Sequence, residues 1–194
     1  DYMRAAFGET QPFSFHGENF HTDGANISVQ PFQKPNPPMW MMSRDPATLS
    51  FCAKNGINSG YFLIYPRKDA APRYRTFLEE WKAAGWTHKP NLAYCTICYV
   101  DESDQAALEK AAFRASRAYE GFLKAPEPGE TFEDRVKEHA ARFTGRGEPG
   151  AAEIMRNIFD QKYLIDNDLV FIGSAKTLTE KIRAAAESGL FNTF

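Results

Sequence analysis

The sequence has few of the residues that support metal, redox or nucleic-acid chemistry. It contains three Cys and four His in 194 residues, and 23 Lys and Arg against 25 Asp and Glu. Three cysteines leave one unpaired in any disulfide scheme, which favours a reducing, cytoplasmic setting. The net charge of −2 provides no basic excess for binding phosphates, so a nucleic-acid partner is disfavoured. No apolar run approaches the roughly 20 residues of a membrane-spanning helix.

The remaining polar residues show no spacing typical of a metal site or a hydrolase. None of the histidines lies at metal-ligand spacing with another His, Cys or carboxylate, and no two carboxylates form a recognisable catalytic pair. Cys95 and Cys98 match the Cys-x-x-Cys pattern, but they fall in a predicted strand. Residues three apart on a strand point to opposite faces, so buried structural cysteines are favoured over a redox or zinc pair.

Apolar runs alternate with helical patterns along most of the chain. The predicted strands cover residues 27–32, 39–42, 61–65, 92–100 and 169–172, and the run at 39–42 is short enough to be buried on both faces. The predicted helices cover residues 45–56, 71–84 and 101–123, a segment around 154–159, and a last helix that begins at Ser174. This alternation predicts an α/β class with parallel strands, whose functional residues lie at the carboxyl ends of the strands.

The segment from Met42 to Thr48 is the best candidate site. A strand leads directly into a helix whose free N–H groups and dipole attract an anion such as a phosphate. Ser43 and Thr48 add hydroxyl groups, and Arg44 adds a positive charge. The alternative is a plain helix start, in which Asp45 is only the N-cap, and the same alternative is favoured for Ser174.

A resemblance to a known family runs through the chain in a consistent order. Its motifs are the following: Gly17-Glu18-Asn19-Phe20, Gln33-Lys34-Pro35-Asn36-Pro37-Pro38, Ser43-Arg44-Asp45-Pro46, and Gly173-Ser174 before the last helix. In this order they resemble the bacterial luciferase-like flavin monooxygenases. The resemblance implies a (β/α)₈ TIM barrel of which this chain is the C-terminal half, because such barrels need about 250 residues. It also implies that residues 124–168, which include a polar, Gly- and Pro-rich stretch, form a lid-like excursion.

The ends of the chain support the same interpretation. The sequence begins without Met at Asp1 and ends at Phe194, where a strand begins. We therefore expect an internal fragment, incomplete at both ends, that is inactive alone, binds flavin incompletely and has unpaired strand edges that reduce its solubility.

The family resemblance assigns roles to individual residues. It implies that the phosphate of FMN is held by the following: Met42, Ser43, Arg44, Asp45 and Thr48. Tyr61, Leu63 and Tyr65 share one strand face and are candidates for the substrate pocket, although packing inside the barrel is the favoured role for them. The catalytic residues cannot be assigned, and the resemblance places them before Asp1.

The implied function is oxidation of a small organic substrate by reduced FMN and O₂. A separate flavin reductase and a dimeric full-length protein are implied as partners. Two alternatives stay open: a deazaflavin-dependent oxidoreductase of the same fold, and a non-catalytic protein that binds flavin or pairs with an active subunit.

Overall fold

A computed structural model describes residues 1–8, 11–43, 45–61, 66–121, 123–144 and 151–194. Contacts divide the chain into two units, residues 1–40 and 41–194. The larger unit contains the candidate site, all the predicted helices and all the predicted strands except the one at 27–32 and the first two residues of the one at 39–42.

The smaller unit contains a β-hairpin that the sequence patterns did not predict. Helix α1 (Tyr2–Gly8) is followed by strands β1 (Phe13–His16) and β2 (His21–Ala25), which pair antiparallel. Gly17 closes the turn, and its N–H donates to the carbonyl of Phe20 at 2.9 Å. The prediction of a strand at 27–32 was wrong. Val29 and Phe32 are exposed there, so the alternation does not reflect a buried face.

The larger unit alternates strands and helices as predicted. Its elements are β3 (Trp40–Met42, which begins at the last residue of the smaller unit), α2 (Pro46–Lys54), β4 (Asn58–Tyr61), a 3₁₀ turn (Arg67–Asp69), α3 (Ala70–Ala83), β5 (Leu92–Tyr94), β6 (Ile97–Asp101), α4 (Asp104–Glu120), α5 (Phe132–Thr144), α6 (Ala151–Arg156), α7 (Gln161–Asp166), β7 (Val170–Ser174) and α8 (Ala175–Glu187). The α/β prediction is therefore confirmed.

The strands form a three-stranded sheet, β3-β4-β5, and a two-stranded sheet, β6-β7. Strands β4 and β5 are parallel, as are β6 and β7. One predicted strand, 92–100, is divided at residues 95–96, because its first half pairs with β4 and its second half pairs with β7. Thr193 forms a single parallel bridge to Ala93 on the first half, which agrees with a strand beginning at the end of the chain.

The core beneath the first sheet is aromatic. Helix α3 contributes Tyr74, Phe77 and Trp81, which are at most 3% exposed, as the helical spacing predicted. Phe191 lies against Tyr61, Tyr74 and Tyr94 with ring centroids 6.3, 5.7 and 5.1 Å away. Such contacts bury a large apolar area and fix the helix on the sheet.

The segment predicted as a lid-like excursion is largely helical. It holds the thirteen-residue α5 and the short helices α6 and α7, of which α6 overlaps the helix predicted around 154–159, and residues 145–150 lie outside the described residues. The buried side chains Ile154, Met155, Ile158 and Leu164 anchor α6, α7 and the turn between them. Its role as a lid remains a prediction.

Candidate functional site

The junction between β3 and α2 is the candidate phosphate site, and it is organised around Asp45. As predicted, Asp45 is the N-cap and Pro46 is the first helical residue. Carboxylate Oδ2 of Asp45 accepts hydrogen bonds from the N–H and the hydroxyl of Thr48, at 2.8 and 2.9 Å. The hydroxyl oxygen of Ser43 accepts from the N–H of Asp45 at 3.2 Å. Arg44, the third of the five residues predicted to hold the phosphate, lies outside the described residues.

These bonds affect how an anion can bind. A hydroxyl oxygen that accepts a hydrogen bond still carries its own hydrogen, so Ser43 remains able to donate to a phosphate. The first-turn N–H of Ala47 is one of the donors that a helix cannot satisfy internally. Both donors of Thr48, however, are directed at Asp45, whose negative charge repels a phosphate. A phosphate therefore fits here when the N–H and the hydroxyl of Thr48 donate to the phosphate instead of to Asp45.

Met42 lies on the face of the sheet that points away from helix α3. Its side chain crosses the neighbouring strand at Gly60, where an added Cβ would lie 2.1 Å from the sulfur of Met42. Met42 is 44% exposed, and its neighbours Trp40 and Met41 are also exposed. The prediction that this strand is buried on both faces was therefore wrong.

Tyr61 lies on the opposite face and belongs to the core. It is 0% exposed and contacts Tyr74 of α3, with ring centroids 5.9 Å apart. Burial raises the pKa of Tyr74 to about 12, against the opposing effect of a hydrogen bond with Ser59, as expected for a phenol inside a desolvated core. Tyr61 thus packs in this core, and its assignment to the substrate pocket stays a prediction. Leu63 and Tyr65 lie outside the described residues.

The second helix start considered from the sequence, at Ser174, is occupied by a carboxylate of the protein itself. Asp104 accepts from the N–H of Ser174 at 2.6 Å and from the hydroxyl of Thr177 at 2.9 Å. The bond from the Ser174 N–H is the main cause that lowers the pKa of Asp104. The hydroxyl of Ser174 caps the helix by accepting from the N–H of Thr177. This helix start therefore has the structure of a plain cap.

A half-buried ion cluster, which the sequence patterns did not reveal, surrounds Asp168. Arg67 donates to Oδ2 of Asp168 from Nε at 3.0 Å and Nη2 at 2.8 Å, and Lys181 donates to Oδ1 at 2.9 Å. Burial alone would raise the pKa of Asp168, but the bonds from Lys181 and Arg67 outweigh burial and hold that pKa below its ordinary value. Arg67 lies 101 residues from Asp168, so no local spacing could have indicated the pair.

The cysteines and histidines do not form a metal or redox site in the described part of the chain. All three thiols are free; Cys52 is buried, but Cys98 is exposed, which corrects the prediction that the Cys95 and Cys98 side chains are both buried. Within the described ranges, no group of three His, Cys, Asp or Glu side chains is placed to hold a metal ion. No helix in the part of the chain that the structure describes is long and apolar enough to cross a membrane.

The family model of the luciferase-like monooxygenases matches residues 1–191. The chain belongs to this family. No curated protein matches the chain significantly. The matched range includes both units of the structure, so the resemblance read from the motifs is confirmed.

Solved structures share the fold at low sequence identity. The monooxygenase RslO1 from Streptomyces bottropensis is 18% identical with a TM-score of 0.62, and the match covers 98% of this chain and 49% of that one. The oxygenating constituent of 3,6-diketocamphane monooxygenase from Pseudomonas putida, solved with FMN, is 18% identical with a TM-score of 0.61, covering 100% and 53%. The coenzyme F420 dependent tetrahydromethanopterin reductase from Methanopyrus kandleri is 19% identical with a TM-score of 0.59, covering 98% and 53%.

The luciferase-like chain thus spans about half the length of these relatives. Its α/β fold is that of their TIM barrels, and a partial barrel is consistent with this coverage. Members of this family are mostly oxidoreductases that use FMN or a deazaflavin, and the relatives named above include both kinds.

Proposed function

We propose that this chain is part of a flavin-dependent monooxygenase that uses reduced FMN and O₂ to oxidise a small organic substrate. The family match over residues 1–191 carries the proposal. The geometry of the β3–α2 junction supports it, because a helix start that directly follows the carboxyl end of a strand suits a phosphate group. We also propose a flavin reductase as the source of reduced FMN and a dimer as the assembled state of the full-length protein.

In this proposal the junction residues hold the phosphate. The hydroxyl of Ser43 donates to one phosphate oxygen, and the first-turn N–H groups of α2 point toward the same position. Thr48 transfers its two hydrogen bonds from Asp45 to the phosphate. Arg44, placed between Ser43 and Asp45 in the sequence, contributes a positive charge near the phosphate. When bound, reduced FMN would supply the electrons for the oxygen chemistry.

A deazaflavin-dependent oxidoreductase is the second candidate. It is favoured by the F420-dependent enzymes among the relatives, which include the reductase described above and a secondary alcohol dehydrogenase with an F420-acetone adduct. The phosphate site would serve either FMN or a deazaflavin. The two candidates therefore differ in which ring system the complete protein prefers to bind.

A binding titration tests the proposal directly. The 194-residue chain and the complete open reading frame that contains it are each titrated with FMN and with a deazaflavin, following flavin fluorescence. We expect the complete protein to bind FMN saturably and in preference to deazaflavin, and to take up O₂ when reduced FMN and a panel of aldehydes and ketones are supplied. The 194-residue chain should bind flavin incompletely. Preference for deazaflavin without O₂ uptake would select the second candidate. Binding of neither cofactor by the complete protein would refute both.

The negative charge of Asp45 opposes phosphate binding, so removing that charge should strengthen the binding of FMN. Asn caps helices about as well as Asp, so Asp45→Asn keeps the helix start and removes the charge that repels phosphate. We expect Asp45→Asn to strengthen FMN binding by up to about tenfold, which corresponds to about 1.4 kcal/mol. Isothermal titration calorimetry measures the change.

Ser43→Ala serves as the contrasting variant in that experiment, because it removes a phosphate donor and should weaken FMN binding. Equal affinity in the wild type and both variants would show that the phosphate binds elsewhere.

A further inference from the structure

The facing sides of helices α2 and α3 enclose a groove in the larger unit. Its volume is about 240 Å³, which is the space of about eight water molecules at about 30 Å³ each. Leu49 of α2 and Phe77 of α3 line it and are only 4% and 1% exposed, so they form its apolar base. The described residues that we propose to hold the phosphate do not line this groove. The groove is therefore a site of its own.

Two prolines reduce the number of hydrogen-bond donors that the helix starts offer to this groove. Pro46 is the first residue of α2 and Pro72 is the third residue of α3, and both line the groove. Proline has no backbone N–H, so each of these first turns lacks a donor that would otherwise attract an anion. The two rings add apolar surface instead. The groove therefore favours an apolar ligand over a phosphate or a carboxylate.

Glu80 of α3 brings a negative charge to the groove. It belongs to the lining, and one of its carboxylate oxygens, Oε2, has almost no accessible surface. Within the described parts of the chain, no group donates a hydrogen bond to this oxygen. A carboxylate oxygen that is removed from water without a donor raises the free energy of the folded protein. A cation bound beside Glu80 offsets that cost, so the groove is complementary to a positively charged group.

Arg73 determines at which end of the groove that group lies. It lines the groove two turns before Glu80, which is about 11 Å along α3. The groove thus has a basic residue toward one end and an acidic residue toward the other. Like charges repel, so a ligand with a single positive charge places that charge at Glu80 and not at Arg73. The apolar part of the ligand then lies along Leu49 and Phe77.

We propose that the groove between α2 and α3 binds a small arylalkylamine, whose ammonium group lies at Glu80 and whose ring packs on Leu49 and Phe77. The volume sets the size of the ligand. Pockets for drug-sized molecules begin near about 300 Å³, so this groove suits a smaller molecule such as phenethylamine. The ring of Phe77 favours an aromatic ligand, because pairs of aromatic rings contribute more than their buried area alone. The proposal is independent of the flavin.

Isothermal titration calorimetry of the complete protein with phenethylamine tests the proposal. We expect saturable binding by the wild type. Glu80→Gln keeps the shape of the side chain and removes its charge, so it should weaken the binding of phenethylamine by about tenfold, because charge-assisted hydrogen bonds are the stronger ones. Glu79→Gln is the matched control, since this adjacent carboxylate is exposed and does not line the groove. The control should leave the affinity unchanged.

A neutral ligand and a blocking substitution separate the charge from the apolar contacts. Phenethyl alcohol has a hydroxyl group in place of the ammonium group, so it should bind the wild type more weakly than phenethylamine and should bind Glu80→Gln as well as the wild type. Thr76→Phe places a ring in the groove from an exposed position and should abolish the binding of both ligands. Trp81 lies 5.7 Å from Phe77 between ring centroids, so its fluorescence gives a second measurement of binding.

Each outcome supports or overturns the proposed amine site. Saturable binding of phenethylamine that is weakened in Glu80→Gln and lost in Thr76→Phe supports it. If the wild type does not bind phenethylamine, or binds it with the same affinity as either variant, the proposal is overturned. Displacement of phenethylamine by FMN would place the amine in the flavin site and would also overturn it. The flavin titration is a separate measurement, so a failure of the proposed function leaves the result for the amine site unchanged.

Discussion

Phe191→Ala is expected to lower the free energy of unfolding by about 3–5 kcal/mol, the usual cost of removing a fully buried phenyl ring. Phe191 is 2% exposed and contacts three tyrosine rings, those of Tyr61, Tyr74 and Tyr94. Its removal opens a cavity between the sheet and α3, and relatively rigid rings surround that cavity. The neighbouring structure can therefore collapse only in part.

Chemical denaturation followed by tryptophan fluorescence measures this change, because Trp81 packs against Phe77 in the same core. Phe113→Ala is the matched control. That ring is 67% exposed, and its contact with Arg117 is a surface cation–π pair, so the control should lose about 1 kcal/mol or less. Equal losses in the two variants would contradict the central position of Phe191.

Asp168→Asn is expected to lower the free energy of unfolding by about 1–3 kcal/mol at pH 7. The substitution keeps the shape of the side chain but leaves Arg67 and Lys181 beside each other without their carboxylate. These side chains are only 19–25% exposed, so solvent screens the loss less than at an open surface. The same denaturation measurement applies. Asp166→Asn is the control, since its partner Lys162 is exposed and the pair should contribute little.

The same cluster predicts how stability depends on pH. The pKa of Asp168 is lower in the folded protein than its ordinary value near 3.9. Its stabilising contribution is therefore complete above that value and is lost as the pH falls through the lower, folded-state pKa. The difference in stability between the wild type and Asp168→Asn should be constant from pH 7 to about 5 and shrink below about 4. A difference that stays constant down to pH 3 would contradict the ion cluster.

Local signals predicted most of the helices correctly. The cap at Asp45 and the cap at Ser174 follow from residue types that bond to their own helix within three positions. The apolar stripe of α3 follows from spacing along one helix. Each depends on residues that are close in sequence, which is why the sequence alone was sufficient.

Features that depend on distant partners were not predictable. The predicted strand is divided at residues 95–96 because its two halves pair with different strands. The first half pairs with β4, which precedes it in the sequence, and the second half pairs with β7, which lies far beyond it. The exposure of the apolar strand β3 depends on what lies above the sheet, and no property of Met41 or Met42 encodes it. The apolar and β-branched residues that mark a strand do not show which neighbours it will have.

The candidate site was predicted in part. The sequence located the junction between Ser43 and Thr48, because a strand end beside a helix cap is a local pattern. It did not show that Asp45 would take both donors of Thr48, nor which face of its sheet Tyr61 would occupy. The second fact depends on the position of α3, which packs against that face of the sheet.

The position of Asp104 couples the local unfolding of two helices. It stands in the first turn of α4, yet its carboxylate binds the N–H of Ser174 and the hydroxyl of Thr177 at the start of α8. Gly173 makes this approach possible, since a Cβ there would lie 2.9 Å from the carboxylate. If the start of α4 unfolds, Ser174 and Thr177 lose the carboxylate that accepts their hydrogen bonds. If the start of α8 unfolds, that carboxylate loses both of its donors. The amides at the starts of α4 and α8 should therefore exchange with deuterium as one cooperative unit, although 70 residues separate them in the sequence.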